Sequence, residues 1–380
     1  MFWRDRTAGG ETLRAANTNA AGLMSQATVT STRVLAIAPR KYLALGQASG
    51  VLESRSIAFA DAGSAAVSAP VSTGMSISST APIVSDTDGK LYAIVYGMSA
   101  PFPTVPLAGN VDLTLVTPRP QPYSVLNGET YADFNTSAPR ALWGAIGRET
   151  ANSQRGMFVH ELRLDTGELL PGARMSTAEV VVEGNSIDTC IADPRVQSPG
   201  PGVFVASWRQ RNSGAYGCDL LVNGQKLNTG AWGPYKYELA ATASGGAVAV
   251  WDEEDPVTRF WSRIRYTTKA STSANWAAPS ALPGEPLGES ASIEIVARGP
   301  GGTLALVWTP LQNCSTTSCK IYEYRVSKYV NGVWTTQSLA LGTSLRKIAI
   351  NASGSGVLTS EETDCNANGS CTRGLSLYRF

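Results

Sequence analysis

Carboxylates and guanidiniums gather in four short stretches of the chain. GRE supplies Arg148 and Glu149, WRQR supplies Arg209 and Arg211, WDEED supplies Asp252, Glu253, Glu254 and Asp255, and EETD supplies Glu361, Glu362 and Asp364. A carboxylate pair can divide the roles of acid and base at a glycosidic bond, and arginine grips a carboxylate with two parallel hydrogen bonds. Together these residue types suit an acidic carbohydrate, held or cleaved. For cleavage the catalytic candidates are Glu361 and Glu362, with Arg209 and Arg148. Glu361 leads because it stands where comparable stretches place Trp208, Trp251 and Trp308, so that an acid replaces a packing aromatic. For binding the candidates are Arg209, Arg211 and Asp252, with Tyr216, Trp261 and Phe102 to stack on a sugar ring. The competing reading makes the charges solvated loop residues, salt-bridged to neighbours, and the three tryptophans packing.

Residues 364–369, DCNANG, carry the D-x-N-x-N-G spacing of a calcium loop. The twelfth position counted from Asp364 is Leu375 rather than glutamate, which excludes an EF-hand. Asp364, Asn366 and Asn368 remain candidates for calcium in a hairpin loop, in competition with a Cys365–Cys371 disulfide that shapes the loop unaided. Cys314–Cys319 is a second close pair, and Cys190–Cys218 is what remains for a third. Neither close pair is C-x-x-C and no histidine stands nearby, so disulfides fit better than zinc. The single histidine, His160 in MFVHELRL, excludes multi-histidine metal sites and stands against a Ser-His-Asp triad. It is expected mid-strand, outward or packed. Neither G-x-S-x-G nor a P-loop occurs, and no organic cofactor is implied.

Composition narrows the partners. Of 380 residues only 16% are charged and the formal net charge is +1, so no basic field exists to neutralise phosphates, which excludes nucleic acid. No run of about 18 apolar residues is present to span a membrane. Six cysteines in Ser-, Thr- and Asn-rich surroundings point to an oxidising compartment: extracellular, cell surface or periplasmic. The start, MFWRDRTAGG, has charges at Arg4 and Asp5 and no apolar run, and is not a signal peptide.

The elements that must position these residues read as strands. β-Branched and aromatic runs bounded by Gly, Pro, Asn and Ser recur throughout, with almost no helical periodicity. YELAATA, ASGG, AVAVWDEE, SRIRYTTKA and WAAPSAL form one unit; SIEIVARG, GPGG, TLALVWTP, IYEYRVSKYVNG and VWTTQSLA form the next; RKIAINA, SGSG, VLTSEE and GLSLYRF form the last. Earlier pairs are SIDTCIAD with GVFVASWRQ, YADFNTS with ALWGAIGRE, STAPIVSD with KLYAIVYG, and TRVLAIA with KYLALGQ. The period of about 40–60 residues is that of four-stranded propeller blades. The expectation is one all-β domain over 1–380, a seven-bladed β-propeller of antiparallel four-stranded blades. Its blades span about 30–75, 76–128, 129–184, 185–235, 236–288, 289–343 and 344–380 plus 1–20, with residues 11–16 lending the last blade its fourth strand. First-to-second turns are short, whereas second-to-third loops, near 48–53, 98–110, 148–155, 209–216, 252–261, 309–320 and 363–372, vary and define the working face.

The repeats GGAVAVW at 245–251 and GGTLALVW at 301–308 resemble those of bacterial secreted propellers of the sialidase-like, BNR-like kind, clearly over the last 180 residues or so and loosely before. The resemblance implies the fold. The S-x-D-x-G-x-T-W box of true sialidases is missing, and SDTDGKLY at 85–92 puts Thr87 where the box has its aspartate, which stands against carrying over the activity. The leading expectation is a monomeric secreted or surface module binding a glycan or extracellular protein through the loop face. The alternatives are a glycoside hydrolase or polysaccharide lyase acting on acidic carbohydrate, and a structural spacer of a larger surface protein.

Overall fold

Short strand-forming runs separated by glycine-bearing turns favour hairpins between sequence neighbours, and the computed structural model of the protein is all-β. It describes residues 2–7, 10–18, 24–29, 33–38, 40–60, 63–76, 83–85, 90–94, 104–109, 111–116, 123–125, 132–137, 140–149, 154–163, 170, 173–177, 179–180, 193–200, 203–211, 218–229, 234–242, 244–254, 262–285, 290–312, 320–321, 323–339, 344–365 and 371–380. Among these the sole helical element is a 3₁₀ turn, Pro300–Gly302, and no helix is long and apolar enough to cross a membrane.

Among the described residues the strands make eight small sheets of three to five strands each. Six of the seven expected pairs form. They are Arg33–Ala38 with Lys41–Ala48, Ile83–Ser85 with Leu91–Ile94, and Ala132–Ser137 with Arg140–Glu149. Tyr237–Ala241 with Ala247–Glu254, Ser290–Arg298 with Leu304–Gln312, and Ser344–Ile350 with Gly356–Cys365 complete the set.

Four expectations are corrected. In the fifth sheet Val203–Arg211 pairs with Arg195–Gly200 on one side and Cys218–Val222 on the other, and SIDTCIAD, Asp193 apart, lies outside the described residues. Gly200 faces Val203, so the shortest connection closes this hairpin. Residues 11–16 do not complete the last sheet. Gly10–Thr18 lies between Phe2–Thr7 and Met24–Val29 in an additional N-terminal sheet, and the last sheet has three strands. A local hairpin closes a far shorter loop than a strand brought from the opposite end of the chain. The third sheet is not wholly antiparallel: Val111–Val116 runs parallel to Leu91–Ile94, and residues 95–110 supply the length that a parallel crossover needs. Finally, the 48–53 stretch is no long loop. Ser49 and Gly50, both at positive φ, turn Lys41–Ala48 directly into Val51–Ala58, as a tight hairpin requires.

The chain divides into two compact units, Met1–Pro120 with Thr136–Ala141 and Glu161–Leu170, and Gln121–Asn135 with Leu142–His160 and Pro171–Phe380. In the first, Leu43, Leu45, Leu91, Leu113 and Leu115 centre the core. In the second, the first strands of the fifth to eighth sheets, Arg195–Gly200, Tyr237–Ala241, Ser290–Arg298 and Ser344–Ile350, each lie against the next. Strand alternation then gives the sixth and seventh sheets two apolar faces each. Ala247, Ala249 and Trp251 pack on Val205, Leu220 and Val222 of the fifth sheet, while Val248 and Val250 pack on Ile293, Leu304 and Leu306 of the seventh. Ala305 and Val307 in turn pack on Ile348, Ile350 and Leu358 of the eighth. Four sheets are thus stacked face to face, and the polar chemistry is pushed to the strand ends.

Candidate functional site

The hydrogen bond that closes each first turn aligns the last three sheets residue by residue. Thr242 N–H donates to the Gly246 carbonyl, Gly299 to Thr303, and Asn351 to Ser355. Counting from these acceptors (246 to 251, 303 to 308, 355 to 360) brings Trp251, Trp308 and Ser360 into equivalence. Glu361 is therefore the counterpart of Asp252 and Thr309, and not of the tryptophans as the sequence suggests. The register agrees, with Ser360 opposite Leu345 before a bulge just as Trp308 is opposite Ile293 before one. A slip of one residue in a strand exchanges its faces.

Asp252 is a buried group, 2% exposed, and not the loop ligand expected. Its Oδ1 accepts the Tyr235 amide at 3.0 Å and the Lys236 amide at 2.7 Å, and its own N–H donates to the Lys236 carbonyl at 3.1 Å. Burial raises its pKa to about 6, against the backbone hydrogen bond from Lys236 and the charge of that residue. Arg209 is likewise turned inward. It lies within a strand, and its Nη1 donates to the Pro234 and Tyr235 carbonyls at 3.0 and 2.8 Å. The two residues read as ligand contacts thus hold the backbone on either side of Tyr235.

The adjoining cluster centres on Tyr237, buried at the start of the sixth sheet's first strand. Its hydroxyl donates to the Asp193 carbonyl, and the Arg195 and Arg209 guanidiniums lie over its ring at 5.6 and 6.0 Å. Burial pushes the phenol up, out of reach of ordinary titration. Arg195 forks onto Asp193 through Nη1 and Nη2. Burial works against the Arg195 charge, but Glu238, Tyr237 and Asp193 outweigh it, and the guanidinium stays protonated. Glu238 Oε1 sits 3.5 Å from Arg195 Nε and 3.7 Å from Arg298 Nη1. Lys236 Nζ donates to the Ile293 and Glu294 carbonyls, where the seventh sheet's first strand bulges.

Two further acids are a strand residue of the sixth sheet, Glu253, and a residue of the turn after its last strand, Glu285. Glu253, also buried, accepts the Trp251 indole N–H at 2.9 Å and faces Arg265 at 3.5 Å. Glu285 Oε1 accepts the Ile264 amide at 3.1 Å, while Oε2 has no protein partner. Burial raises Glu285 to about 7, against the Ile264 hydrogen bond and the charges of Arg265 and Arg263.

The other sequence candidates are spread out. Arg148 lies in Arg140–Glu149, opposite Ser124. Arg211 ends Val203–Arg211, opposite Cys218, which is disulfide-bonded. Glu361, Glu362 and Asp364 fall within Gly356–Cys365 rather than in a loop, and Cys365 directly faces Cys371. Tyr216, Trp261, Phe102, Asn366, Asn368, Cys190, Cys314 and Cys319 lie outside the described residues. Trp208, Trp251, Trp308 and His160 are buried. Sequence reasoning missed Asp193, Arg195, Tyr235, Lys236, Glu238 and Glu285. A Pro-Tyr-Lys triplet ahead of a strand was the available signal for three residues of this region.

No family model matches the chain, and no curated protein does. Solved structures similar to it include a polysaccharide lyase, a PL25 ulvan lyase bound to a GlcA–Rha3S oligosaccharide, at 11% identity over 69% of this chain and 72% of that one, with TM-score 0.43. The β-propeller domain of the Trilobed protease from Pyrococcus furiosus is similar at 9% identity over 66% and 69%, with TM-score 0.36. An α-L-arabinofuranosidase from Fusarium graminearum is similar at 10% identity over 91% of both chains, with TM-score 0.32. None of the three is named as a sialidase.

Proposed function

We propose that this chain is a secreted or cell-surface β-propeller protein that acts on an acidic carbohydrate as a glycoside hydrolase or polysaccharide lyase. The observation that carries the reading is Glu285, a carboxyl group that burial pushes up to about 7 against the charges of Arg265 and Arg263, with one oxygen buried and unclaimed by the protein. A carboxyl group protonated near neutral pH is the kind of acid that protonates the leaving oxygen of a glycosidic linkage. Glu361 and Glu362 stay in the proposal as acids to test alongside Glu285. Arg209 leaves it, because its guanidinium is occupied by backbone carbonyls.

The test is incubation with uronate-containing and sulfated polysaccharides, following new reducing ends and the ultraviolet absorbance of unsaturated uronates. Turnover lost in Glu285→Gln supports the reading; turnover that survives it removes Glu285 from the chemistry. A non-enzymatic binding module is the second reading, and it does not use Arg209 or Asp252, which hold backbone. Binding without turnover of any polysaccharide would select it.

A further inference from the structure

Two hairpins of the chain turn on the same dipeptide. Asn223–Gly224 joins Cys218–Val222 to Gln225–Lys226 in the fifth sheet, and Asn331–Gly332 joins Tyr324–Val330 to Val333–Leu339 in the seventh. Their backbones match. Asn223 and Asn331 have φ of 48° and 51°, and Gly224 and Gly332 have 82° and 87°. In each turn the flanking residues pair directly, Val222 with Gln225 and Val330 with Val333. A two-residue hairpin turn demands left-handed conformation at both positions, and Asn-Gly meets that demand at least cost. Both asparagines are exposed. Two further Asn-Gly steps, at Asn127 and Asn368, lie outside the described residues.

The side chains divide the two turns. Asn223 is tied down at three points. Its N–H donates to the Ala206 carbonyl at 2.8 Å, its Oδ1 accepts the Ala206 amide at 2.8 Å, and its Nδ2 donates to the Phe204 carbonyl at 3.1 Å. Gly224 is closed in as well, since a Cβ there would lie 3.5 Å from the Met175 carbonyl oxygen. Residues 323–339 are described without a break, and the Asn331 side chain has no hydrogen-bond partner among the described residues. Around Gly332 nothing stands within 4 Å of where a Cβ would be.

An unheld asparagine ahead of glycine is chemically reactive, because its Cγ can swing onto the next backbone nitrogen and glycine has no Cβ to obstruct the approach. We propose that Asn331–Gly332 is a self-modifying site, at which the chain converts Asn331 to an aspartyl or isoaspartyl residue while Asn223 is protected. In the first step the Gly332 nitrogen gives up its proton and bonds to Asn331 Cγ. The Cγ–Nδ2 bond breaks, ammonia leaves, and a five-membered succinimide remains. Water then adds to one of the two imide carbonyls. Breaking the bond from nitrogen to Cγ gives aspartate, and breaking the bond from nitrogen to the main-chain carbonyl carbon gives isoaspartate. Water is the sole co-reactant. At Asn223 the bonds to Ala206 and Phe204 must open before the same step, because they hold both Oδ1 and the leaving Nδ2.

Either product sets a new carboxylate at the tip of the seventh sheet's outer hairpin. The isoaspartyl form also adds one methylene to the main chain of a two-residue turn, which disturbs the pairing of Val330 with Val333. That hairpin carries Tyr329 and Trp334, which pack into the core shared with the sixth sheet, so the modification bears on the stack.

The experiment incubates the full chain in mildly alkaline buffer, digests samples at acidic pH, and locates the mass gain of amide-to-acid conversion by peptide fragmentation. Asn331 is expected to convert about tenfold faster than Asn223 or more. A parallel incubation in denaturant is expected to bring the two rates together, because each site is then the same dipeptide following a valine. Isoaspartate among the products marks the imide, since direct hydrolysis of the side chain gives aspartate alone. No conversion at Asn331, equal rates in the folded chain, or a difference that persists in denaturant overturns the proposal. Aspartate without isoaspartate overturns the cyclic route.

Discussion

The sixth and seventh sheets solve the same packing problem and diverge one residue beyond it. Both place a buried tryptophan on the second strand, Trp251 and Trp308, and both sandwich that strand between neighbouring sheets. At the next position the sixth sheet has Asp252, which grips the backbone leading into its first strand. The seventh has Thr309, whose hydroxyl donates to Glu294 in a first-strand bulge. The indole N–H groups also part ways: Trp251 donates to Glu253, and Trp308 to Ser327. Inside the stack, volume and apolarity leave few choices. Past the last packed residue each strand end is free to specialise, and the sixth sheet has used that freedom for ionisable groups.

Substituting the shared residue should give the largest effect. Trp251→Ala and Trp308→Ala are each expected to cost about 3–5 kcal/mol by chemical denaturation, and a clear inequality between them would break the structural equivalence. Next comes the divergent position. The Asp252 pKa is raised in the fold to about 6 from an ordinary value near 4, so the folded state binds this proton more tightly than the unfolded one. The burial cost is therefore fully present above pH 6 and is relieved as pH falls through 6 toward 4. Stability should rise on acidification from pH 7.5 to 5, by an amount on the order of 1 kcal/mol from Asp252. Glu285, raised to about 7, acts in the same direction over a higher window. Asp252→Asn should flatten the lower part of this profile in melting curves taken across pH; an unchanged profile would remove the buried carboxylate as its source. Smallest is Thr309→Val, expected to cost about 0.5–1.5 kcal/mol with no altered pH dependence, the mark of a neutral hydroxyl against a charged clamp. In the eighth sheet, a calcium-dependent rise in melting temperature that Asp364→Ala abolishes would assign an ion to the DCNANG stretch.

Much of this arrangement was legible in the residues. Runs such as AVAVWDEE and TLALVWTP, closed by ASGG and GPGG, declare hairpins because their apolar content exceeds what one buried face needs and their turns carry glycine at positive φ, as at Gly245 and Gly301. Less legible was where strands stop. Arg209, Asp252 and Asp364 look like loop residues by polarity, yet the ladders continue through them, since a charged side chain does not prevent its backbone from pairing. The identity of Glu361 was misread by one place, because the ends of strands are a poorer ruler than the turn that starts them. The N-terminal sheet was missed because ETLRAA pairs as well with a local partner as with a distant one. Nothing in the spacing of Arg195, Glu238 and Arg298 announces a contact, since three sheets must stack before these charges meet.

That last contact has a kinetic consequence. Glu238 is shared between Arg195 of the sheet before it and Arg298 of the sheet after it. In a row of modules joined only to their neighbours, each module can peel away at its own rate, and unfolding proceeds from an end. A carboxylate held by both flanks opposes that route, because lifting either flank strips a buried charge of one of its arginines while the other still holds it in place. The fifth, sixth and seventh sheets are thereby expected to open together, with amides of all three exchanging at one rate under conditions that favour unfolding.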